Sequence, residues 1–498
     1  MSIIKVSNLT FAYEGSYDNI FENTSFQIDT NWKLGLIGRN GRGKTTFFNL
    51  LLGKYPYQGS IHGEAIFEYF PYPVDDPSQC TLDVLQKICP ESMDWEIIRE
   101  ISLLDVSCEV LYRSFSTLSQ GEQTKVLLAA LFLGSNRFLL IDEPTNHLDA
   151  SARETVGRYL KRKRGFILVS HDRNLLDFCV DHILSINRAN IQIQKGNFSS
   201  WWENKQQQDR FEFAENQKLQ KEIGRLCTAM QRTARWSNQV EKSKYRQEAG
   251  AKLDRGYIGH QSAKMMKRAK SIEGRKQAAI SEKSKLLHNI ESYDSLKIPS
   301  LAYHHSPLVQ VSHLSLFYGQ KQVCSDICFS LCQGDRIALS GKNGCGKSSL
   351  LKLICGEDIH YTGDLMVGSG LKISYISQGT SHLHGNLTDF ARERGIDESL
   401  FKTILRKLDF ERVQFEKDMA HFSGGQKKKV LLAASLCEPA HLYVWDEPLN
   451  FIDVFSRMQI EDLILQHCPT LLFVEHDLAF RQNIATQVVD LTSFCERS

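Results

Sequence analysis

The sequence has no run of about 18 uninterrupted apolar residues, the length that a helix needs to cross a bilayer. Its first residues lack the basic segment, apolar stretch and small-residue cleavage site of a secretion signal. The 13 cysteines are scattered through apolar segments and lack the paired spacing of a zinc site. These absences predict a cytoplasmic protein that has no membrane partner and keeps its thiols reduced and buried.

Charge of one sign is not in excess either, since 60 Lys and Arg residues face 58 Asp and Glu residues, for a net charge of +2. Hydrophobic residues make up 42% of the chain and charged residues 24%, which excludes wholesale disorder. At 498 residues the chain exceeds one ordinary domain. We therefore expect two domains of about 200 residues with a further segment between them.

An internal repeat organises the chain. GRNGRGKTT at 38–46 recurs as GKNGCGKSS at 341–349, IDEPTNHLD at 141–149 recurs as WDEPLNFID at 445–453, and SHD at 170–172 recurs as EHD at 475–477. Each glycine-rich segment follows a short apolar run and precedes an amphipathic helix pattern, as in a buried parallel strand that leads into a helix. The sequence therefore predicts two tandem α/β domains, at 1–202 and 299–498.

The segment between them, 203–298, has a different pattern. Polar, helix-favouring residues replace the β pattern, and Leu219, Ile223, Leu226 and Met230 form one apolar stripe of a helix. Helical pattern returns at about 265–290, and three glycines between 249 and 259 indicate a turn. We expect an antiparallel helical hairpin; a flexible polar linker is the alternative.

Basic charge is concentrated in this segment. Residues 203–290 contain 20 Lys and Arg against 10 Asp and Glu, so their net charge is +10 while the rest of the chain carries −8. A charged run is commonly a solvated face, but one on a projecting element, with KMMKRAK at 264–270 and nearby aromatic residues, favours contact with a nucleic acid.

The two glycine-rich segments have the pattern GxxxxGK[ST], in which backbone N–H groups at a helix N-terminus surround the phosphates of a nucleotide. The lysine reaches the β- and γ-phosphates, and the hydroxyl residue after it binds Mg²⁺. The predicted ATP-binding residues are Gly38, Arg39, Asn40, Gly41, Arg42, Gly43, Lys44, Thr45 and Thr46 in the first copy and Gly341, Lys342, Asn343, Gly344, Cys345, Gly346, Lys347, Ser348 and Ser349 in the second.

Polar side chains end the next apolar strands. We expect the aspartates to hold Mg²⁺ with the hydroxyl residues, the glutamates after them to activate the attacking water, and the histidines to contact the γ-phosphate. The aspartates are Asp142 and Asp446, the glutamates are Glu143 and Glu447, and the histidines are His171 and His476. A lone histidine is more often structural, but here both copies follow the carboxyl end of a strand. The expected activity is hydrolysis of ATP.

LSQGEQTK at 118–125 and FSGGQKKK at 422–429 resemble the signature motif of ATP-binding-cassette proteins. The resemblance implies that the two cassettes close face to face and that each signature covers the ATP held by the other cassette. The signature residues that it assigns to ATP are Ser119 and Gly121 in the first copy and Ser423, Gly424 and Gly425 in the second.

The same resemblance assigns Tyr13 and Tyr318 to stacking on adenine, although each is equally expected as a half-buried strand aromatic. It also assigns Gln378 to Mg²⁺. Two positions depart from the family pattern: Tyr72 replaces the glutamine in the first copy, and Gln120 replaces a glycine of the first signature. These departures predict unequal activity of the two sites.

Tandem cassettes joined by a basic helical hairpin resemble the ABC-F family, and QKGNFSSWWE, AKMMKRAKSI and WDEPLNFIDV closely resemble its Lsa-type antibiotic-resistance members. The resemblance implies a monomer that binds the ribosome at the exit and peptidyl tRNA sites. It also implies contact with large-subunit rRNA and release of lincosamides, pleuromutilins and type A streptogramins. The implied linker contacts are Lys244, Leu253, Tyr257, Lys264, Lys267, Arg268 and Lys270.

Other functions remain open at this point. Leu253 is alternatively a turn residue packed on Tyr257. The chain is alternatively the ATPase subunit of a drug exporter, or a housekeeping ABC-F translation factor. A cassette ATPase that acts on DNA is less favoured, because the sequence has neither a zinc module nor a single cassette interrupted by a very long coiled coil.

Overall fold

Strands and helices alternate twice along the chain, as the repeat predicts. The computed structural model describes residues 2–15, 19–134, 137–146, 148–187, 190–243, 298–319, 321–408, 410 and 412–491. The strands of the first copy are β1 (Ile3–Phe11), β2 (Phe21–Asp29), β3 (Lys33–Ile37), β4 (Gln58–His62), β5 (Ile66–Phe70), β6 (Arg137–Asp142), β7 (Phe166–Val169), β8 (His182–Asn187) and β9 (Asn190–Lys195). Its helices are α1 (Lys44–Leu51), α2 (Thr81–Ile88), α3 (Asp94–Leu103), α4 (Gln120–Leu131), α5 (Ala150–Arg162) and α6 (Arg173–Cys179).

The second copy repeats this order after a long helix, α7 (Phe198–Ser243). Its strands are β10 (Val309–Tyr318), β11 (Lys321–Leu331), β12 (Arg336–Ser340), β13 (Tyr361–Val367), β14 (Ile373–Ile376), β15 (Leu442–Asp446), β16 (Leu471–Val474) and β17 (Gln487–Asp490). Its helices are α8 (Lys347–Ile354), α9 (Leu387–Glu393), α10 (Glu398–Lys407), α11 (Gly424–Cys437), α12 (Val454–His467) and α13 (Leu478–Ile484).

Each copy contains two sheets. In the first copy the order is β5-β6-β7-β3-β8-β9, parallel except for the antiparallel β8–β9 pair, beside an antiparallel β2-β1-β4 sheet. In the second copy a parallel β14-β15-β16-β12-β17 sheet accompanies an antiparallel β11-β10-β13 sheet. The predicted fold class, two tandem α/β cassettes, is confirmed.

Alternation along the parallel strands divides the second cassette's core into two layers. On β15, Leu442 and Val444 join the hydrophobic cluster that contains the antiparallel sheet and α8. Tyr443 and Trp445 point to the opposite face and join the cluster that contains α11 and α12. Because both faces are covered, the strands are continuously apolar, and their polar ends mark the edge of the sheet at which ligands bind.

The long helix α7 agrees with the first arm of the predicted hairpin. Leu219 and Ile223, two residues of the predicted apolar stripe, are partly buried on this helix. Contacts between Cα atoms group Met1–Trp201 with Ser295–Ser498, and group Trp202–Asp294 as a second unit. The predicted turn and second arm lie outside the described residues, so the hairpin and its boundaries at 203 and 298 stay predictions.

In the described ranges, no helix combines the length and the apolar character that crossing a membrane requires.

Candidate active site

The two glycine-rich loops have the same backbone. Gly41 and Gly344 both have φ of +83°, and Gly43 and Gly346, which cap α1 and α8, have φ of +90° and +91°. A Cβ atom on Gly43 would lie 2.6 Å from Ile20 Cγ2, so glycine is needed there for space as well as for its left-handed conformation. The predicted ATP-binding residues 38–46 and 341–349 therefore form two equivalent strand–loop–helix turns.

The loop lysines fold back on their own loops. Lys44 Nζ donates to the carbonyl oxygens of Gly38, at 2.7 Å, and Arg39, at 3.2 Å, and Lys347 Nζ donates to those of Gly341 and Lys342, at 2.8 and 2.9 Å. Burial lowers the pKa of Lys44, while the nearby carboxylates of Asp453, Glu143 and Asp142 oppose that change. A buried ammonium group held mainly by backbone carbonyls is suited to receive the phosphates of a nucleotide.

Hydroxyl and carboxylate oxygens meet beside each loop. Thr45 Oγ1 lies 3.4 Å from Asp142 Oδ2, and burial raises the pKa of Asp142. In the second cassette burial also raises the pKa of Asp446, and the Ser348 hydroxyl opposes this shift. Desolvated carboxylates with adjacent hydroxyls are hard oxygen donors, so the predicted Mg²⁺ ligands fit that cation.

The candidate catalytic glutamates share an uncommon conformation. Glu143 and Glu447 both have φ of +49°, in the left-handed region that residues other than glycine rarely adopt. Each follows a parallel strand, and each is held there because its N–H donates to the last residue of the neighbouring strand, Val169 or Val474. The strained conformation repeats at both sites, which is typical of functional residues.

The histidines meet these glutamates. His171 Nε2 lies 3.3 Å from Glu143 Oε1, and His476 Nε2 lies 3.3 Å from Glu447 Oε1. Burial lowers the pKa of His171 well below its usual value, and Lys44 and Arg457 lower it further. His171 is therefore neutral at pH 7 and can donate one hydrogen bond without adding charge.

The signature motifs begin helices. Ser423 caps α11, where its side chain accepts from the Gln426 N–H at 3.3 Å while Gln426 Oε1 accepts from the Ser423 N–H at 2.9 Å. Ser119 and Glu122 form the same reciprocal capping box at the start of α4. The positive ends of these helices are suited to bind a phosphate. Gln120, the departure in the first signature, is exposed at the first position of α4.

Residues of both cassettes line one shared cleft. A cleft of about 600 Å³ is lined by the first cassette's glycine-rich loop, Asp142, Glu143 and His171, and by the second cassette's signature residues. Across it, Asn40 Nδ2 donates to the Phe451 carbonyl at 2.9 Å. The structure thus brings Lys44 together with Ser423, Gly424 and Gly425; the roles of these residues in ATP binding stay predictions.

The second composite site has matching parts. Burial opposes ionisation of Asp149, but the Ala152 N–H, the Ser151 hydroxyl and His476 lower the pKa of its carboxyl, which places this first-cassette residue near the second cassette's histidine. In the mirror arrangement burial again acts against ionisation, and Lys429, Ser456 and His171 lower the pKa of Asp453 to about 2. Ser119 and Gly121 begin the helix that the prediction assigns to Lys347, Asp446, Glu447 and His476.

The two glutamates differ in electrostatics. Burial and the charge of Asp142 raise the pKa of Glu143 to about 8. Burial also acts on Glu447, but hydrogen bonds from His476, Gln378 and Asn450 lower its pKa to about 2. The Gln378 amide donates to Glu447 at 3.0 Å and the Asn450 amide at 2.6 Å. At pH 7 Glu447 is ionised and Glu143 keeps its proton.

Tyr72 does not lie beside the magnesium ligands, although it replaces the glutamine that the resemblance assigns to Mg²⁺. Strand register does make Tyr72 the counterpart of Gln378, because Phe70 pairs with Ile141 as Ile376 pairs with Trp445. However, burial and Glu68 raise the pKa of Tyr72, whose hydroxyl is near Cys89 and Arg137 rather than Asp142. The first cassette therefore has no amide beside Asp142, because the residue at this position is a tyrosine and because its side chain lies away from Asp142.

Tyr69 contacts the Asp142 carboxylate instead, and no motif in the sequence identifies it. Its hydroxyl donates to Asp142 Oδ2 at 3.1 Å. Its counterpart Tyr375 is one residue before Ile376, and burial followed by the charge of Asp446 raises its pKa. Alternation along β5 and β14, which sends every second side chain toward the loop, is the signal that points to this pair.

The tyrosines assigned to adenine lie beside the loops. The Tyr13 hydroxyl is 2.9 Å from Thr46 Oγ1, and the Tyr318 hydroxyl is 3.0 Å from Ser349 Oγ. Both rings are substantially exposed, at 42% and 54%. Each ring is therefore anchored at its hydroxyl and open to a stacking partner.

An ion pair without an equivalent in the other half of the repeat joins the two cassettes. Arg173, at the start of α6, donates to both carboxylate oxygens of Glu461 on α12, and both side chains are buried. By position in the repeat, Leu478 replaces Arg173 and Gly157 replaces Glu461 in the mirror arrangement, so the pair has no counterpart. Sequence reasoning missed this contact because it compared only the motifs that the copies share.

Comparison with known families gives a match in each half. A family model described as ABC transporter matches residues 21–146 and 324–450, which together exceed half of the chain. The matched ranges contain both glycine-rich loops, both signatures and both glutamates. ATP-binding domains of this kind indicate hydrolysis of ATP.

Similar proteins extend over nearly the whole chain. The ribosome protection protein VmlR of Bacillus subtilis is 28% identical over 484 residues, which cover 96% of this chain and 84% of that protein. The ATP-binding protein Uup of Buchnera aphidicola is 26% identical over 509 residues, covering 97% and 80%.

Among solved structures, a chain from the crystal structure of archaeal ribosomal stalk protein aP1 with archaeal ribosome recycling factor aABCE1 matches with a TM-score of 0.65. It is 18% identical, and the match covers 97% of this chain and 87% of that one, so it supports the fold. Because the family model matches more than half of its residues, this chain belongs to the ABC transporter family and carries the family's ATP-binding domain twice.

Proposed function

We propose that this protein is an ABC-F ATPase that binds the ribosome in its ATP-closed form and protects the peptidyl-transferase centre from lincosamides, pleuromutilins and type A streptogramins. One observation carries the proposal: the two cassettes of a single chain share an ATP cleft, and a polar helix of 46 residues is inserted between them. Such an arrangement would couple the nucleotide state of the cassettes to the inserted helix. This coupling does not require a membrane protein.

The charge of the inserted segment favours an RNA partner. In 198–225, the cassette-proximal part of α7, five basic residues balance five acidic ones, so the whole excess of +10 belongs to 226–290. The later part of the segment, in sequence order, is therefore basic, while its first part is neutral. Phosphate groups attract such a distribution at long range, and they do so less at high salt.

The similar proteins also support a ribosomal partner. VmlR is named a ribosome protection protein, and its match extends through the inserted segment as well as both cassettes. Binding to ribosomes in the cytoplasm, at the exit and peptidyl tRNA sites, is accordingly the function tested first for this chain.

In this proposal, ATP hydrolysis releases the protein from the ribosome. Lys44 and Lys347 would bind the phosphates, and each signature helix would present its N-terminus from the other cassette. Mg²⁺, held by Thr45 and Asp142 or by Ser348 and Asp446, would supply charge neutralisation at the phosphates. Glu447, which is ionised at pH 7, and Glu143, in the fraction of molecules in which it has lost its proton, would orient and deprotonate the attacking water, after which the cassettes separate.

Two other functions remain as alternatives. An exporter ATPase docks on separate membrane proteins and has no need for a basic insertion of this length. A housekeeping ABC-F factor shares the cassettes and the insertion, so drug protection is the property that distinguishes it.

Co-sedimentation tests the ribosome step. The double variant Glu143→Gln/Glu447→Gln should keep ATP binding, lose turnover by about 10² to 10⁴ as expected for a missing general base, and pellet with ribosomes when ATP is present. Pelleting with membranes instead would support the exporter alternative. Unchanged steady-state ATPase would sink the assignment of both glutamates.

Linker variants test how protection works. Neutralising Lys264, Lys267, Arg268 and Lys270, which lie outside the described residues, should weaken ribosome binding and reduce its dependence on salt. Neutralising four basic residues in the balanced proximal part, Lys205, Arg210, Lys218 and Lys221, is the matched control and should have a smaller effect.

The predicted tip should behave differently from the arms. Shortening 249–256, or changing Leu253→Ala, should spare ATPase and ribosome binding but abolish drug protection. Minimum inhibitory concentrations of a lincosamide and a pleuromutilin in a sensitive Gram-positive host measure this. A shortened variant that protects as well as the parent would remove the tip from the mechanism.

A further inference from the structure

Three side chains with metal-binding atoms meet on the antiparallel sheet of the second cassette, away from the ATP cleft. His313 on β10 lies opposite Asp326 and Cys328 on β11, and one ligand atom from each lies within 4.8 Å of the other two. His313 Nδ1 is 2.6 Å from Asp326 Oδ1 and 3.9 Å from Cys328 Sγ. All three residues are exposed, so a dissolved ion reaches them directly.

An irregular backbone creates this cluster. The register of β10 and β11 shifts between Val311 and Leu314, and His313 and Asp326 both adopt left-handed conformations, with φ of +50° and +58°. The His313 N–H donates to Cys328 Sγ at 3.1 Å, which fixes the sulfur beside the imidazole. The bulge thus turns side chains from two strands toward one point.

The first cassette has the same bulge with different side chains. Its register shifts between Val6 and Leu9, Asn8 and Asn23 have φ of +52° and +47°, and the Asn8 N–H donates to Ser25 Oγ at 2.8 Å. Asn8, Asn23 and Ser25 therefore occupy the places of His313, Asp326 and Cys328. Asparagine suits the left-handed backbone, and the bulge forms without any metal ligand.

Each of the three replacements in the second cassette exchanges a weak metal ligand for a stronger one. Two amides and a hydroxyl, which are weak ligands, become an imidazole, a carboxylate and a thiol, the three side chains that bind zinc. Tetrahedral Zn²⁺ with bonds of about 2.0–2.3 Å separates its ligand atoms by about 3.3–3.6 Å. The separations of 2.6 and 3.9 Å from His313 Nδ1 bracket that range, and the separation of the Asp326 and Cys328 ligand atoms is within 4.8 Å.

We propose that His313, Asp326 and Cys328 form a surface Zn²⁺ site that joins β10 to β11, with water as the fourth ligand. On binding, the Cys328 thiol releases its proton to solvent and the thiolate coordinates the ion, without any change of oxidation state. The spacing of the cysteines along the chain gives no sign of the site, because one cysteine is used and the bulge supplies the other ligands.

Metal content of the full chain, purified without nucleotide, tests the proposal. After equilibration with Zn²⁺ and removal of free ion, the parent should hold about one equivalent more than the triple variant His313→Asn/Asp326→Asn/Cys328→Ser. With Co²⁺ as the probe, the parent should also show thiolate-to-cobalt charge-transfer absorption that the triple variant loses. The triple variant reproduces the first cassette's residues, so its metal-free melting temperature should match that of the parent.

The reverse graft sharpens the test. Asn8→His/Asn23→Asp/Ser25→Cys places the three ligands on the first cassette's bulge and should add about one equivalent of Zn²⁺ and a second thiolate–cobalt signal. Equal zinc content and equal cobalt spectra of the parent and the triple variant would overturn the site. A graft that gains no metal would overturn the claim that the bulge geometry creates it.

Discussion

Replacing one candidate catalytic glutamate at a time isolates the other, and the structure predicts that the two remaining sites respond differently to pH. In Glu447→Gln, turnover depends on Glu143, whose pKa burial and Asp142 raise to about 8. In Glu143→Gln it depends on Glu447, whose pKa is lowered to about 2 by His476, Gln378 and Asn450 despite burial.

The direction of each pH dependence follows because only the ionised carboxylate acts as the base. A carboxyl with a pKa of about 8 is mostly protonated at pH 6, and its ionised fraction rises about tenfold between pH 6 and pH 7. A carboxyl with a pKa of about 2 is fully ionised throughout that range, so its contribution is flat. We therefore expect the ratio of kcat/KM for Glu447→Gln to kcat/KM for Glu143→Gln to rise about tenfold between pH 6 and pH 7.

The assay is steady-state phosphate release at limiting ATP, because kcat/KM reports groups of the free enzyme. Titration of ATP itself affects both variants equally and cancels in their ratio. The double glutamine variant gives the background, and binding of a fluorescent ATP analogue verifies that each variant is folded. Identical pH profiles for the two single variants would refute the assigned electrostatic difference.

Two further predictions concern contacts that the motifs did not reveal. Arg173→Met should destabilise the folded chain by about 3–5 kcal/mol in urea unfolding because Glu461 is left buried without its cationic partner, and adding Glu461→Leu should recover most of the loss; equal destabilisation by the single and double variants would contradict this. Tyr69→Phe removes the hydrogen bond that helps to keep Asp142 ionised, so Mg²⁺-dependent kcat/KM should fall more at pH 6 than at pH 8, whereas a uniform loss would show that the hydroxyl acts otherwise.

The repeated motifs made the cassettes and the composition of the ATP cleft predictable. A GxxxxGK[ST] loop needs a strand before it and a helix after it, so its two occurrences fix the position of a parallel sheet in each half. The signature resemblance added the pairing across the cleft, which Lys44, Ser423 and Gly425 line together.

Side-chain direction was the limit of the prediction. Tyr72 was placed correctly along the strand but not in space, because one position in sequence does not specify which way a ring turns at the end of a strand. The φ of Glu143 and the Arg173–Glu461 pair depend on contacts between segments far apart in the chain. A comparison of the halves position by position, rather than motif by motif, would have exposed the Arg173–Glu461 pair and the side chains on the bulge at His313 as differences between the copies.

Release of labelled lincomycin from purified Gram-positive ribosomes tests the central claim most directly. With ATP, the parent chain should lower the amount of ribosome-bound drug in a filter-binding assay, and the tip-shortened variant should bind the ribosome without lowering it. Bound drug that stays unchanged while the parent chain occupies the ribosomes would contradict the protection function.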